Sequence, residues 1–205
     1  MAGVVSNVNQ LFQVSAADVA LTSDEWYTPR WIFDAAGLTF DLDVCAPVAP
    51  AFRTCPAHRY LTILEDGLAQ PWEGLVWMNP PYSNPAPWVD RFIAHPNGLA
   101  LLPASNSHWR GRYVKAADGL TLLSVNSRER SANTSRFWTG FGRPDGSQVS
   151  YPTALILAAR GVLALGALER VATIDPYAGG AWFVRPVEFP AQEPAGRGSG
   201  GLECR

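Results

Sequence analysis

The sequence predicts a single α/β domain: a mostly parallel β-sheet with helices on both faces and an antiparallel hairpin at one edge. Three observations lead there. Short apolar runs alternate with helix-patterned stretches between about residues 23 and 190, the pattern of strands joined by crossover helices. Two late apolar runs, Thr153–Ala159 and Val162–Leu165, are separated only by Arg160-Gly161, a pair suited to a tight turn. A chain of 205 residues with 47% apolar and 17% charged side chains can fill one core and is too short for two comfortable ones.

Each element has its own signal. Residues 1–22 show weak periodicity and read as an N-terminal arm. Pro29 opens a helix through Ala36, with Thr28 as N-cap and Gly37 as the stop. Leu38–Val44 alternates apolar and polar residues and reads as a strand. Pro47, Pro50 and Pro56 make the next stretch irregular. Gly74–Met78 is a second strand, bounded by Gly before and Asn-Pro-Pro after. Trp88–Ala94 is helical. Gly98–Leu102 is a third strand, ended by Pro103. Trp109–Ala117 is helical, Gly119–Val125 is a fourth strand, and the late hairpin follows. The tail over 191–205 is rich in Pro, Gly and Ser and reads as disordered.

Composition narrows the classes. A net charge of −2 argues against a chain wholly dedicated to nucleic acid, but leaves room for one local basic groove. Three Cys with no CxxC pair and no Cys/His cluster give no zinc spacing, so no metal site is expected. The first twenty residues lack Lys and Arg, so no secretory leader is expected; reduced thiols and a cytoplasmic protein are. The longest apolar stretch, Thr153–Leu168, contains Arg160 and two Gly and falls short of a membrane span. His58, His95 and His108 are scattered, and Ser105 and Ser107 lack a nucleophile-elbow context.

The motif that carries chemistry is Asn79-Pro80-Pro81-Tyr82, directly after the strand Gly74–Met78. In parallel sheets ligands gather at the carboxyl ends of strands. Two successive prolines stiffen the backbone there and leave carbonyls without local amide partners. Beside an Asn and an aromatic ring, such acceptors make a socket for a planar amine. The bland alternative is a rigid turn whose Asn satisfies backbone groups.

Further blocks occur in order around it. They are Asp24-Glu25-Trp26-Tyr27-Thr28-Pro29; Phe40-Asp41-Leu42-Asp43-Val44-Cys45-Ala46; Cys55-Pro56 with Tyr60-Leu61-Thr62; Asp66-Gly67-Leu68; Trp72, Gly74 and Trp77 leading into Asn79–Ser83; Leu101-Leu102-Pro103 with Trp109; and Tyr151-Pro152-Thr153 with Leu155–Leu157. Over roughly residues 24–158 the chain thereby resembles the phage-type DNA N6-adenine methyltransferase (phage Dam) family. The resemblance implies a Rossmann-like fold, S-adenosylmethionine as cofactor and double-stranded DNA as substrate. It implies that Asn79, Pro80, Pro81 and Tyr82 carry catalysis on a flipped adenine. It also places Asp43 and Ala46 in the first cofactor motif, Asp66 at the cofactor's adenine amino group, and Thr28 and Pro29 beside its methionine moiety.

The residues support a mechanism of that kind. An exocyclic amine is a poor nucleophile because its lone pair is delocalised into the ring. Asn79 and the Pro80 carbonyl could each accept one N–H, favouring a tetrahedral nitrogen in the transition state, with Tyr82 stacked on the base. Asp43 ends a strand, where a carboxylate could hold the cofactor or pair with Arg30 or Arg53. Asp41, two residues earlier on the same face, is the other candidate. Trp26 either stacks on a ligand or anchors the arm.

Two features depart from the family pattern. Val-Cys-Ala-Pro stands where many methyltransferases have a Gly-rich loop, and only 22 residues lie between Asp43 and Asp66. Ser127–Gln148 is an irregular insertion in which Arg128, Arg130, Arg136 and Arg143 interleave with aromatics, as in a DNA-contacting loop. The chain is expected to act as a monomer or homodimer. Other readings stay open: a methyltransferase for cytosine N4, an RNA base or a protein glutamine, and a catalytically idle DNA-binding protein of the same fold.

Overall fold

A computed structural model describes residues 24–104, 108–123, 141–143, 147–149 and 154–174. The expected arm over 1–22, the tail over 191–205, and Arg128, Arg130 and Arg136 lie outside the described residues.

Along the chain come α1 (Arg30–Ala36), β1 (Phe40–Asp43), a 3-10 turn (Pro50–Phe52), β2 (Ala57–Tyr60), β3 (Val76–Met78) and α2 (Ala86–Ala94). These are followed by β4 (Gly98–Pro103), α3 (His108–Ala116), β5 (Gly119–Leu123), β6 (Phe141–Gly142), β7 (Gln148–Val149), β8 (Leu155–Arg160) and α4 (Val162–Ile174). Six strands make one sheet in the order β2-β1-β3-β4-β8-β5. From β2 to β4 the neighbours are parallel, and β8 runs antiparallel to both β4 and β5. The result is the Rossmann-like, mostly parallel α/β sheet that the alternating pattern predicts. The short ribbon of β6 and β7 is separate, joined to the strap before α1 by paired backbone hydrogen bonds of 3.0 Å between Tyr27 and Gly142.

Both sheet faces are covered, so the central strands are apolar on both sides. Every residue of β4 is buried. Leu99 and Leu101 face the layer of α1 and α4, with Phe33, Trp77 and Leu168. Ala100 and Leu102 face the layer of α2 and α3, with Val76, Met78, Phe92 and Tyr113. The first layer holds much of the aromatic load: Trp77 meets Phe33 edge-on at 4.7 Å and Phe40 at 5.7 Å.

Three expectations are corrected. Val162–Leu165 is no strand; it is the first turn of α4. Gly161, at φ +82°, makes the turn, and a side chain there would strike Asn97 and Pro96. The antiparallel strand therefore lies between β4 and β5, and no hairpin forms across Arg160-Gly161. The N-cap of α1 is Pro29, without a side-chain cap bond; Thr28 points elsewhere, as described below. Last, the proline-rich stretch contains β2, a four-residue edge strand whose pairing with β1 sets it. Gly37 ends α1 as expected, in the left-handed region, its N–H donating to Phe33 O at 3.0 Å. Among the described residues no helix is long and apolar enough to cross a membrane.

Candidate active site

The sheet order reverses at β1: the chain goes to β2 on one side and to β3 on the other. Crevices form at such switch points, outside the carboxyl ends of the strands. Here that crevice is a cavity of about 550 Å³, within the range of about 300–1,000 Å³ usual for small-molecule sites. Its walls come from the segments after β1 (Asp43 to Val48), after β2 (Thr62, Ile63, Asp66, Gly67) and after β3 (Asn79, Pro81), and from the strap Asp24–Thr28. Gly67 closes against the end of β1: a Cβ there would lie 2.1 Å from the Val44 carbonyl and 3.0 Å from Trp88.

The cavity is anionic. Among the described residues, its charged lining side chains are Asp24, Glu25, Asp43 and Asp66, with no Lys, Arg or His. Asp43 is 3% exposed, and burial pushes its carboxyl up to about 7, against the opposing pull of the Cys45 N–H, the Arg53 guanidinium and the Cys55 thiol. The Cys45 N–H donates to Asp43 Oδ1 at 3.1 Å. Neither candidate Arg forms the ion pair with it: Arg30 pairs with Asp34 at 3.0 Å, and Arg53 donates to the carbonyls of Pro47 and Val48 at 3.0 and 3.1 Å. Burial also pushes the Cys45 and Cys55 thiols well up, with Asp43 adding to both. They are poor nucleophiles.

Asn79 sits at the end of β3 in an unusual state. Its Nδ2 donates to the Trp26 carbonyl at 2.6 Å and to Thr28 Oγ1 at 3.1 Å. A carbonyl oxygen can only accept, so the atom facing Trp26 is the amide nitrogen and the orientation follows. Asn79 Oδ1 is then left buried with no hydrogen-bond partner among the described residues. Buried acceptors are rarely left so, and a site that expects a donor from a ligand is one reason. The turn after the motif is clamped by Asp24, which accepts from Ser83 N at 2.9 Å and from Ser83 Oγ at 2.5 Å.

The structure gathers most of the residues singled out from sequence. Trp26, Thr28, Asp43, Ala46, Asp66, Asn79 and Pro81 all line the cavity. Asp66 holds φ +55°, its Oδ1 accepting from Leu68 N at 3.1 Å, an Asx turn of the kind that tolerates the left-handed region. Pro29 and Pro80 are buried and are not among the lining residues. Asp41 stands apart: it is exposed, and its Oδ2 accepts from Leu75 N at 2.7 Å beside Gly74. Tyr82 is half-buried, edge-on to Phe141 at 6.3 Å, its hydroxyl donating to Leu101 O at 3.4 Å. Arg143 stacks 4.6 Å from the Trp26 ring and donates to the Glu25 carbonyl at 2.9 Å, bracing the strap.

Sequence reasoning missed Tyr27 and Phe52, which stack at 4.9 Å in the cavity wall, and Thr54, whose hydroxyl donates to the Thr28 carbonyl at 2.7 Å. Tyr27 lies within the Asp24–Pro29 block; Phe52 and Thr54 carry no local signal.

The sequence profile of the DNA N-6-adenine-methyltransferase (Dam) family matches residues 17–130. The chain belongs to this family. The match includes every residue that lines the cavity, and stops before β6, β8 and α4. A DNA N-6-adenine-methyltransferase of Haemophilus phage HP1 is 40% identical over 76 residues, which cover 35% of this chain and 42% of the phage protein. No solved structure matches the chain.

Proposed function

We propose that this protein is an S-adenosylmethionine-dependent methyltransferase acting on the N6 amine of adenine in double-stranded DNA. The observation that carries the reading is Asn79 Oδ1: a buried acceptor without a partner among the described residues, on an amide whose nitrogen is held from two sides, in the wall of the switch-point cavity. Family membership and the phage relative's name agree with it.

The cavity suits the cofactor. S-adenosylmethionine carries a sulfonium and an ammonium cation, and the described lining residues include four acidic side chains and no basic one. When bound, it supplies an electrophilic methyl group. Asp43 and Asp66 are the groups to hold its cationic and hydrogen-bonding ends, with Ala46 beside them and Trp26 as an aromatic wall. Asn79 Oδ1 and the Pro80 carbonyl each accept one N–H of the target amine. That pulls hydrogens away from the ring plane and localises the lone pair. The gain is larger in the transition state than in the ground state, so it lowers the barrier and not merely the binding constant. No strong base is needed, because the amine loses its proton only after it has become cationic. The adenine must leave the stack to reach this socket, and Tyr82, half-buried beside Phe141, is the ring to face it. Arg128, Arg130 and Arg136 are proposed contacts to the DNA backbone.

The test is to incubate the protein with labelled S-adenosylmethionine and unmethylated duplex DNA, and to identify the modified nucleoside after digestion. N6-methyladenine is the expected product. N4-methylcytosine would redirect the reading to another amine, and cofactor binding without any labelled nucleoside on several DNAs would contradict it.

A further inference from the structure

We infer that Thr28 is a positioning residue for the Asn79 amide, rather than a ligand of the cofactor. The inference rests on the proposed role of Asn79 and adds what makes that role possible. A primary amide has two N–H donors and one oxygen. If either donor is free, the side chain can rotate about its last torsion, and the oxygen samples more than one direction. In this site both donors face acceptors: the Trp26 carbonyl at 2.6 Å and Thr28 Oγ1 at 3.1 Å. Two acceptors fix the plane of the amide as well as which end is which. The oxygen is thereby held in one direction before any substrate arrives, and a preorganised dipole needs no reorganisation during the reaction.

The acceptors sit on a strap that is itself tied down. The Thr28 carbonyl accepts from Thr54 Oγ1 at 2.7 Å, the Tyr27 backbone pairs with Gly142, and Asp24 clamps Ser83. Thr28 lines the cavity and is 4% exposed, and in this structure its hydroxyl oxygen is engaged by Asn79 Nδ2 at 3.1 Å. Its partner lies 51 residues along the chain, which is why the local sequence suggests a helix cap instead.

The test uses the full chain with Thr28→Val, which keeps shape and loses the hydroxyl, and Thr28→Ser, which keeps the oxygen. The first readout is hydrogen exchange at the Asn79 side-chain amide, observed by nitrogen-15 NMR and assigned through its loss in Asn79→Ala. Both wild-type Nδ2 protons should be protected relative to exposed Asn side chains; Thr28→Val should leave only one protected, and Thr28→Ser both. This readout needs no turnover, so it stands whether or not DNA is the substrate. The second readout is methyl transfer. Thr28→Val should lower kcat by roughly three- to tenfold, the worth of one neutral hydrogen bond, with S-adenosylmethionine affinity unchanged and activity restored in Thr28→Ser. Wild-type Nδ2 protons that exchange like exposed ones would overturn the inference. So would a Thr28→Val protein whose cofactor affinity falls by the same factor as kcat, since Thr28 would then be a cofactor ligand.

Discussion

Asp43 should make cofactor binding depend on pH, and the size of the effect follows from its surroundings. The carboxyl is buried at the carboxyl end of β1, its ionisation displaced from 3.8 to about 7, and among the described residues it lines a cavity with three other acidic side chains and no basic one. A cationic ligand favours the carboxylate. Below pH 7 binding must therefore expel a proton. With a free-state value near 7, the carboxylate fraction falls from about one half at pH 7 to about 1% at pH 5, a loss of about 50-fold in affinity. The cofactor's own groups are silent in this window: an α-carboxyl titrates at about 3.5 and an α-amine at about 8. Isothermal titration calorimetry with S-adenosylmethionine at pH 5, 6 and 7, repeated in two buffers of different ionisation enthalpy, reads both the affinity and the proton released. Asp43→Asn should bind more weakly at pH 7 and show a flat profile. A wild-type affinity that stays constant from pH 7 to 5, or an Asp43→Asn protein with the same slope, would refute the reasoning.

The same group sets a trend in the ligand-free protein. Its folded value lies above its unfolded one, so the fold is favoured while the carboxyl is protonated; unfolding free energy should fall from about pH 4 to about pH 7, by up to about 1.4 kcal/mol per pH unit, with a matching fall in melting temperature that Asp43→Asn should largely remove. Gly67→Ala puts a methyl 2.1 Å from the Val44 carbonyl and should cost about 1–3 kcal/mol in chemical denaturation, with weaker cofactor binding. Gly111→Ala, where a Cβ meets nothing within 4 Å on α3, should instead stabilise by up to about 1 kcal/mol. Arg143→Met should slow methyl transfer by loosening the strap while leaving the salt dependence of DNA binding unchanged; a drop of about one unit in that log–log slope would mark a phosphate contact instead.

How much of this could be read from the residues depends on the range of the interactions. Asn79-Pro80-Pro81-Tyr82 was legible because an apolar strand runs straight into it, and Asp43 because alternation places it at a strand's end. Local signals sufficed for both. The two-residue spacing of Asp41 and Asp43 puts them on one face, yet only Asp43 reaches the cavity, because Asp41 bonds to Leu75 N beside Gly74. That partner is 34 residues away, beyond any local pattern. Thr28 likewise reads as a cap until Asn79 is seen against it. For α4 the signal was present and cut short. Val162-Leu163-Ala164-Leu165 alone reads as a strand, but the buried positions Ala164, Ala167, Leu168, Val171 and Ala172 recur at helical spacing. The strand β2 is short and at the edge, and its proline-rich approach hid it; pairing with β1 decides its conformation.

The Asn79 amide is proposed to lower the barrier to methyl transfer more than it strengthens cofactor binding. The most direct test is the single-turnover rate of Asn79→Ala at saturating S-adenosylmethionine and DNA, beside its cofactor affinity. The rate should fall by about 100- to 1,000-fold, as for removal of one preorganised group at a reacting centre, with cofactor affinity within a few-fold of wild type. A rate within tenfold of wild type would contradict it.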